Sequence, residues 1–421
     1  MRFPRFNKVS FLIFLSVMGP GIITSAVDND AGGIATYSVA GANFGYSLLW
    51  LLIPITVALI VVQEMCTRMG VVTGKGLSDL IRKNFGARVT VFVMLLLLVA
   101  NIGNTMAEFA GVAASAEILG MSRYIAVPIA AIAVWLLVVK GNYKKVERIF
   151  LVATLFYITY VISGLLSGPN WGEVGSQFIA PSFSFNSAYL FMVIGIVGTT
   201  IAPWMQFYIQ ASIVEKKIEL KNYKYTKMDV IIGSFITAAI AFFIIVACAA
   251  TLYAANIHIN DAADAAVALR PLAGNLASYL FAFGLLTASL FAAAILPLAT
   301  AYYVCEGFGW EKGVDKSFKE ASKFYWLYTG LILIGAIFVL TPGVSFISIL
   351  LISQVMNGIL LPFILIFMII IINDKDVMGK YTNGKFFNII AWGTTIILII
   401  LTILLVVSSV WPGALAALFG G

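Results

Sequence analysis

Two aspartates one residue apart, Asp28 and Asp30, flank Asn29 and precede Gly32-Gly33 inside an otherwise apolar stretch from Val9 to Ala40. A charged side chain at the centre of a bilayer costs roughly 2.5–3.5 kcal/mol. Each glycine weakens a helix by about 1 kcal/mol relative to alanine. A polar cluster on a weakened helix at that depth is a binding site by default. The chain repeats the device at Gly198-Thr199-Thr200-Ile201-Ala202-Pro203-Trp204, where a threonine pair and a proline interrupt a second apolar run. Two interrupted helices in matching places of two halves point to a transporter's substrate site. Unwinding inside lipid frees carbonyls that have no water to meet them. A cation satisfies them, because the freed carbonyls and the C-terminal end of a half-helix present negative dipole. An anionic or zwitterionic substrate needs cationic or amide partners instead, and the predicted spans carry no Arg or Lys away from their ends.

The elements that must position these residues are membrane helices. The 421 residues are 61% hydrophobic and only 11% charged, with mean hydropathy +1.01, which excludes a soluble globular fold. Crossing the hydrocarbon takes about 20 apolar residues. Eleven such stretches are predicted, at about 10–40, 46–67, 89–118, 124–139, 147–167, 188–212, 229–255, 277–304, 324–341, 344–372 and 386–410. Lys and Arg collect on the cytoplasmic side of short loops. With the N-terminus inside, alternation over eleven spans leaves only Arg123 and Arg270 of the 26 basic residues outside. The C-terminus is then extracytoplasmic, and the protein is a multi-pass protein of the cell membrane.

The fold expected is an all-α membrane protein forming one transporter domain over residues 1–421. Spans one to five (about 10–167) and six to ten (about 188–372) make a 5+5 inverted repeat, since an odd repeat length reverses the orientation of the second half. The first and sixth helices are discontinuous, and the span at 386–410 is an addition. The longest polar connections, such as Ser167 to Ser187, are only about 15 to 25 residues long, so no soluble domain is expected. The net charge of +7 belongs to a cytoplasmic face that meets anionic lipid; no nucleic acid is needed to explain it, and no obligatory protein partner or cofactor is inferred. Cys66, Cys248 and Cys305 are too scattered for a metal site or a disulfide framework. The first apolar segment lacks a small-residue cleavage site and is expected to stay in the mature protein. A Ser/Lys or Ser/His pair and a His-Glu-x-x-His zinc signature are missing from every span, so an intramembrane enzyme is not expected.

Several segments carry a family likeness. Gly19-Pro20-Gly21-Ile22-Ile23-Thr24, then Asp30-Ala31-Gly32-Gly33-Ile34-Ala35-Thr36 and Ala40-Gly41-Ala42-Asn43-Phe44-Gly45-Tyr46, resemble the first helix of the natural resistance-associated macrophage protein (Nramp) family of divalent-metal transporters. Val72 to Leu77, Ala107-Glu108-Phe109-Ala110-Gly111, Asn142 to Arg148, Glu306-Gly307-Phe308 and Ser353-Gln354-Val355 with Leu361-Pro362-Phe363 are similar to later family segments, in the same order. There are departures. The family's Asp-Pro-Gly-Asn falls on Asp30, Ala31, Gly32 and Gly33, and its Met-Pro-His on Ala202, Pro203 and Trp204. An aspartate of the family's proton route aligns with Thr105, with Glu108 kept, and the arginine of helix nine has no counterpart between Ala321 and Val339.

Loss of the methionine sulfur removes the soft ligand that favours transition metals and leaves oxygen donors. Mg2+ prefers oxygen and keeps part of its water shell, and Gly33 and Ala202 are expected to widen the site for it. The pattern resembles the magnesium-transporting branch of the same broad family. The resemblance implies an ion held directly or through water by Asp30, Thr199 and Gln354, with Gly33 and Ala202 giving backbone or space. Asp28 is either a second carboxylate or a cap for the adjoining half-helix, and Asn29 either a donor oxygen or a backbone clamp. Thr200, Trp204, Met205 and Glu108 lie in a second shell or vestibule, where Met205 competes to restore a sulfur ligand and Glu108 either holds a proton or pairs with a polar group. The expected function is secondary import of Mg2+ and Mn2+ by alternating access without proton coupling. The alternatives are a proton-coupled Mn2+/Fe2+ importer and an amino-acid permease of the same inverted-repeat architecture.

Overall fold

A computed structural model describes residues 20–140, 157–184, 186–260, 262–270 and 274–411. The N-terminal basic residues, the segment Asn142 to Arg148, the first part of the fifth predicted span and the chain's C-terminus lie outside the described residues. The first span is broken into α1 (Pro20–Asp28) and α2 (Ala31–Phe44). Asp30 adopts extended backbone (ψ −173°) and caps α2, its Oδ1 accepting from Gly33 N at 2.7 Å. The carbonyl freed at Asn29 accepts the Tyr157 hydroxyl at 2.6 Å, so the break is satisfied by protein, as lipid depth requires.

The chain continues through α3 (Leu52–Thr73), α4 (Leu77–Ile118) and α5 (Arg123–Val139). The 42-residue α4 joins a lead-in segment to the third span across Gly86, whose φ of 81° is open to glycine and costly for other residues. The fifth span is seen as α6 (Ile158–Leu166). The connection Ser167 to Ser187 contains α7 (Trp171–Ile179), capped by the Asn170 side chain, which accepts from Glu173 N. That cap and the apolar face of Val174 explain why a polar connection still folds as a helix.

The sixth span divides into α8 (Ser187–Thr200) and α9 (Pro203–Glu215). Pro203 occupies the first turn of α9, where its missing N–H leaves no gap, while its ring forbids a continuous helix through Ile201 and Ala202. Then follow α10 (Tyr223–Cys248), α11 (Ala277–Phe308), α12 (Ser322–Val339), α13 (Phe346–Asn373) and α14 (Lys385–Val410). Among the described residues eight helical runs are long and apolar enough to cross a membrane, and α5 is a shorter apolar one. The broken first helix and the partly described fifth complete the expected eleven.

The packing carries the inverted repeat. Spans five places apart pack on each other, α4 on α11 and α3 on α10. The first span's seat against α10 is mirrored by the seat of α9 against α3. Large apolar side chains such as Ile129, Phe235, Ile337 and Ile389 remain exposed around the outside, as a lipid-facing belt requires. The three cysteines are free and buried.

At one end of α3 a charged cluster is buried inside the bundle. Arg68 donates to Glu64 (3.0 Å), to the Tyr381 and Thr382 carbonyls (3.2 and 3.1 Å) and to Asn383, and Glu64 also accepts from Tyr223 and pairs with Lys227 at 3.8 Å. Glu64 and Arg68 thus form an i,i+4 pair that ties α3 to α10 and to the turn before α14. Breaking a buried pair from one side leaves an uncompensated charge and costs about 3–5 kcal/mol. Arg68→Met is expected to lower the melting temperature in detergent, and adding Glu64→Leu to recover part of the loss; equal melting of wild type and Arg68→Met would contradict this.

Candidate metal site

The two breaks meet around the α2 glycines. A Cβ built on Gly33 would lie 3.2 Å from Thr199 Oγ1 and would overlap the Asp28 carbonyl oxygen. A Cβ on Gly32 would lie 3.2 Å from Asp30 Oδ1 and would overlap the Gln354 amide. Four oxygen-bearing groups from α1, the first break, α8 and α13 thus converge within a few ångströms of two bare α-carbons. Gly33 was expected to widen the site, and the structure corrects this: the missing side chain lets the Asp28 carbonyl and Thr199 hydroxyl close onto the backbone. Glycine is needed there for close approach.

Asp30 is 6% exposed, against 0% for Asn29 and Glu108. One of its oxygens is committed to capping α2, so capping and ion contact are compatible roles for one carboxylate. Asp28 is the last residue of α1; its Oδ2 accepts from Thr237 of α10 at 3.4 Å, while its carbonyl faces Gly33. Asn29 clamps backbone, donating to the Ser25 carbonyl at 3.3 Å. Glu108 of α4 accepts from Ala31 N at 3.4 Å, an interaction that the positive end of the α2 dipole favours, and its carboxyl adjoins that of Asp30.

At the second break the Thr200 hydroxyl sits 2.8 Å from Tyr37 Oη and 2.8 Å from the Ile196 carbonyl. The Ala202 carbonyl accepts from Met205 N at 3.2 Å and so belongs to the first turn of α9. Ala202, Trp204 and Met205 are buried in the apolar cluster that also holds Val27, Phe109 and Tyr208. Trp204 packs against Tyr208 with ring centroids 6.0 Å apart. Thr105, where the resemblance has an aspartate, bonds back to the Asn101 carbonyl at 2.7 Å. Among the described residues no three His, Cys, Asp or Glu side chains gather as a ligand set. Gln354 turns its Nε2 toward Gly32, its Oε1 accepting from Asn357, so an ion seated at the breaks would rely on the Asp30 carboxylate together with neutral carbonyl and hydroxyl oxygens, a set suited to hard divalent cations.

Sequence reasoning missed Tyr37, Tyr157 and Thr237, which brace the breaks from α2, the fifth span and α10. Phenols and hydroxyls in apolar spans resemble ordinary packing residues, and only their partners separate them. It also passed over Asn101, Asn104 and Asn357, although an amide inside an apolar span is itself a signal.

Residues 21–408 match the family described as natural resistance-associated macrophage protein-like. The chain is 27% identical over 400 residues to the divalent metal cation transporter MntH of Deinococcus radiodurans, covering 92% of this chain and 88% of that protein. Its fold is similar to that of the Eremococcus coleocola manganese transporter, with a TM-score of 0.78 at 21% identity over 97% of this chain and 88% of the other. It is similar also to MhsT solved in complex with L-phenylalanine, with a TM-score of 0.62 at 16% identity over 97% and 100% of the two chains.

Proposed function

The chain belongs to the natural resistance-associated macrophage protein-like (Nramp) family, and from that premise we propose that it imports divalent metal ions by alternating access, with Asp30 at the centre of the site. The observation that carries the reading is the convergence at Gly32 and Gly33 of the Asp30 carboxylate, the Asp28 carbonyl, the Thr199 hydroxyl and the Gln354 amide. The divalent metal cation transporter among its relatives supports a divalent metal as substrate, and the manganese transporter of similar fold supports Mn2+ in particular. The all-oxygen donor set, with Ala202 in place of a methionine ligand, supports Mg2+ beside it. With the inside negative, a divalent ion gains about 4.6 kcal/mol per 100 mV on moving inward, enough to drive uptake without a second ion.

A second reading is proton-coupled import of Mn2+ or Fe2+, and it fits the family at large better. One geometric observation favours it here: Glu108 is a second buried carboxyl adjoining Asp30 and bonded to the same helix start. A proton displaced by an arriving cation would then have an acceptor already in place.

Both readings are tested in proteoliposomes carrying a membrane potential and an internal pH dye. Mn2+ uptake is expected, and excess Mg2+ is expected to compete with it. Indifference of Mn2+ uptake to Mg2+ would remove magnesium from the proposal. Internal acidification that tracks metal influx would decide for coupling and against uniport.

A further inference from the structure

On the lipid-facing flank of the bundle, α3, α7 and α10 enclose an apolar groove of about 580 Å³. Ile53 and Val57 of α3 and Phe235 and Ala239 of α10 form its walls, and all four are exposed. The short helix α7 closes one side through Trp171, Val174 and Phe178. The Phe178 ring meets Phe242 of α10 edge-on, with centroids 5.3 Å apart, and α7 also rests on the turn Leu49–Leu51 that leads into α3. No charged side chain lines the groove among the described residues. Thr56, the hydroxyl in its wall, donates to the Leu52 carbonyl of its own helix at 2.6 Å.

Depth and orientation decide what can enter. Arg68 and the following Lys75 mark the cytoplasmic end of α3, because basic residues collect on that side. Leu52 to Ile60 therefore belong to the outer half of the span, and the groove follows them for about 12 Å at about 1.5 Å per residue. That is most of one leaflet, since half of the hydrocarbon thickness is about 15 Å. The two faces of α7 differ: Trp171, Val174 and Phe178 turn to the groove, while Asn170, Glu173 and Gln177 line a separate pocket with Tyr46 and Ser47. A helix with opposed apolar and polar faces lies in the plane of the interface, where tryptophan is enriched. Water does not fill such a groove, because it needs polar partners and an apolar cavity stays dry.

We propose that the groove is a binding site for one acyl chain of an outer-leaflet phospholipid, held between α3 and α10 with its headgroup at the level of α7. The proposal is independent of the ion site. Its dimensions choose the occupant: about 580 Å³ spread over about 12 Å leaves a cross-section of about 50 Å², roughly 8 Å across. A helix of a second copy, about 10–12 Å wide with its side chains, does not enter, whereas a hydrocarbon tail does. Gly175 of α7 lines the groove, and a Cβ built there meets nothing within 4 Å, so the space can be filled without displacing protein atoms. Between Phe235 and Ala239, Thr237 turns the other way and donates to the Ser25 carbonyl of α1 at 3.1 Å. A bound chain therefore braces the stretch of α10 that supports the first span.

The test titrates phosphatidylcholine brominated on its acyl chains into full-length protein in detergent micelles and reads tryptophan fluorescence. The share of Trp171 is the difference between wild type and Trp171→Phe. Its quenching is expected to saturate at a single lipid per chain. Gly175→Leu, and from the opposite wall Ala239→Phe, are each expected to abolish the saturable part, while Gly393→Leu at an unobstructed position of α14 keeps it. Quenching that only rises in proportion to the lipid in the micelle, or that survives both groove-filling variants, overturns the site. Should Gly175→Leu not remain monodisperse, Ala239→Phe carries the comparison. Light scattering on the same samples is expected to give the mass of one chain throughout; a dimer that dissociates when the groove is filled would replace the lipid with a second copy. Native mass spectrometry of protein purified from membranes gives an independent reading: wild type is expected to keep one phospholipid adduct that the filled variants lose, and equal retention would refute the proposal.

Discussion

Asp30→Asn is expected to abolish metal-dependent flux in proteoliposomes while the protein folds and melts close to wild type. The pairing of those two outcomes matters, because Asp30 does two things in the structure. As the cap of α2 it accepts from Gly33 N at 2.7 Å, and asparagine is as good a helix cap as aspartate. As the acidic group at the convergence of the two breaks it supplies formal charge that asparagine lacks. Two unit charges about 4 Å apart attract by roughly 4 kcal/mol at an effective dielectric of about 20, and a divalent cation by roughly twice that. Affinity falls tenfold for every 1.4 kcal/mol, so even a fraction of that attraction places binding beyond the range of an uptake assay. Asp30→Ala is expected to lose flux as well and in addition about 1 kcal/mol of stability through the missing cap. Wild-type uptake by Asp30→Asn would leave Asp30 as a cap alone and remove the centre of the proposed site.

Gly198→Val is expected to prevent accumulation of monodisperse protein, and any that folds is expected to be inactive. Gly198 lies where α8 crosses α13, and a Cβ there would come within 2.9 Å of Gly358 Cα and overlap the Gln354 carbonyl oxygen. The obstruction is backbone on both sides, because a Cβ on Gly358 would in turn overlap the Ile194 carbonyl. Side chains can turn away from an added methyl group and backbone cannot, so the helices themselves would have to separate. Overpacking a well-filled core costs about 1–3 kcal/mol, and here separation also pulls Thr199 and Gln354 apart, since both flank the crossing. Size-exclusion profiles and melting curves in detergent, beside Gly330→Ala at an unobstructed position, provide the comparison. Normal folding and transport by Gly198→Val would show that α8 and α13 are not held at this distance in the working protein.

Much of this protein was legible in its residues before any coordinates. Apolar stretches of bilayer length predicted the spans, and the two polar interruptions predicted where helices would break, because lipid leaves no alternative partner for a freed backbone group. The fold, the family and the meeting of the first and sixth helices followed. Other features were not legible. Gly33 was read as a source of width, yet α1 and α8 close on it; a glycine's neighbours are not encoded in its own position. The sequence allows Asp28 as a second carboxylate or as a cap, whereas in the structure its carboxyl turns to Thr237 of α10. The connection before the sixth span showed only its polarity and shortness in the sequence, yet α7 forms there.

Residue chemistry and its periodicity, acting over one or two helical turns, determined the spans, their breaks and the acidic character of the site. Which oxygen faces which backbone group, and the groove enclosed by α3, α7 and α10, were decided only by tertiary packing. Those contacts join residues up to some two hundred or more positions apart, and their formation depends on helix crossings set by many small steric fits at once.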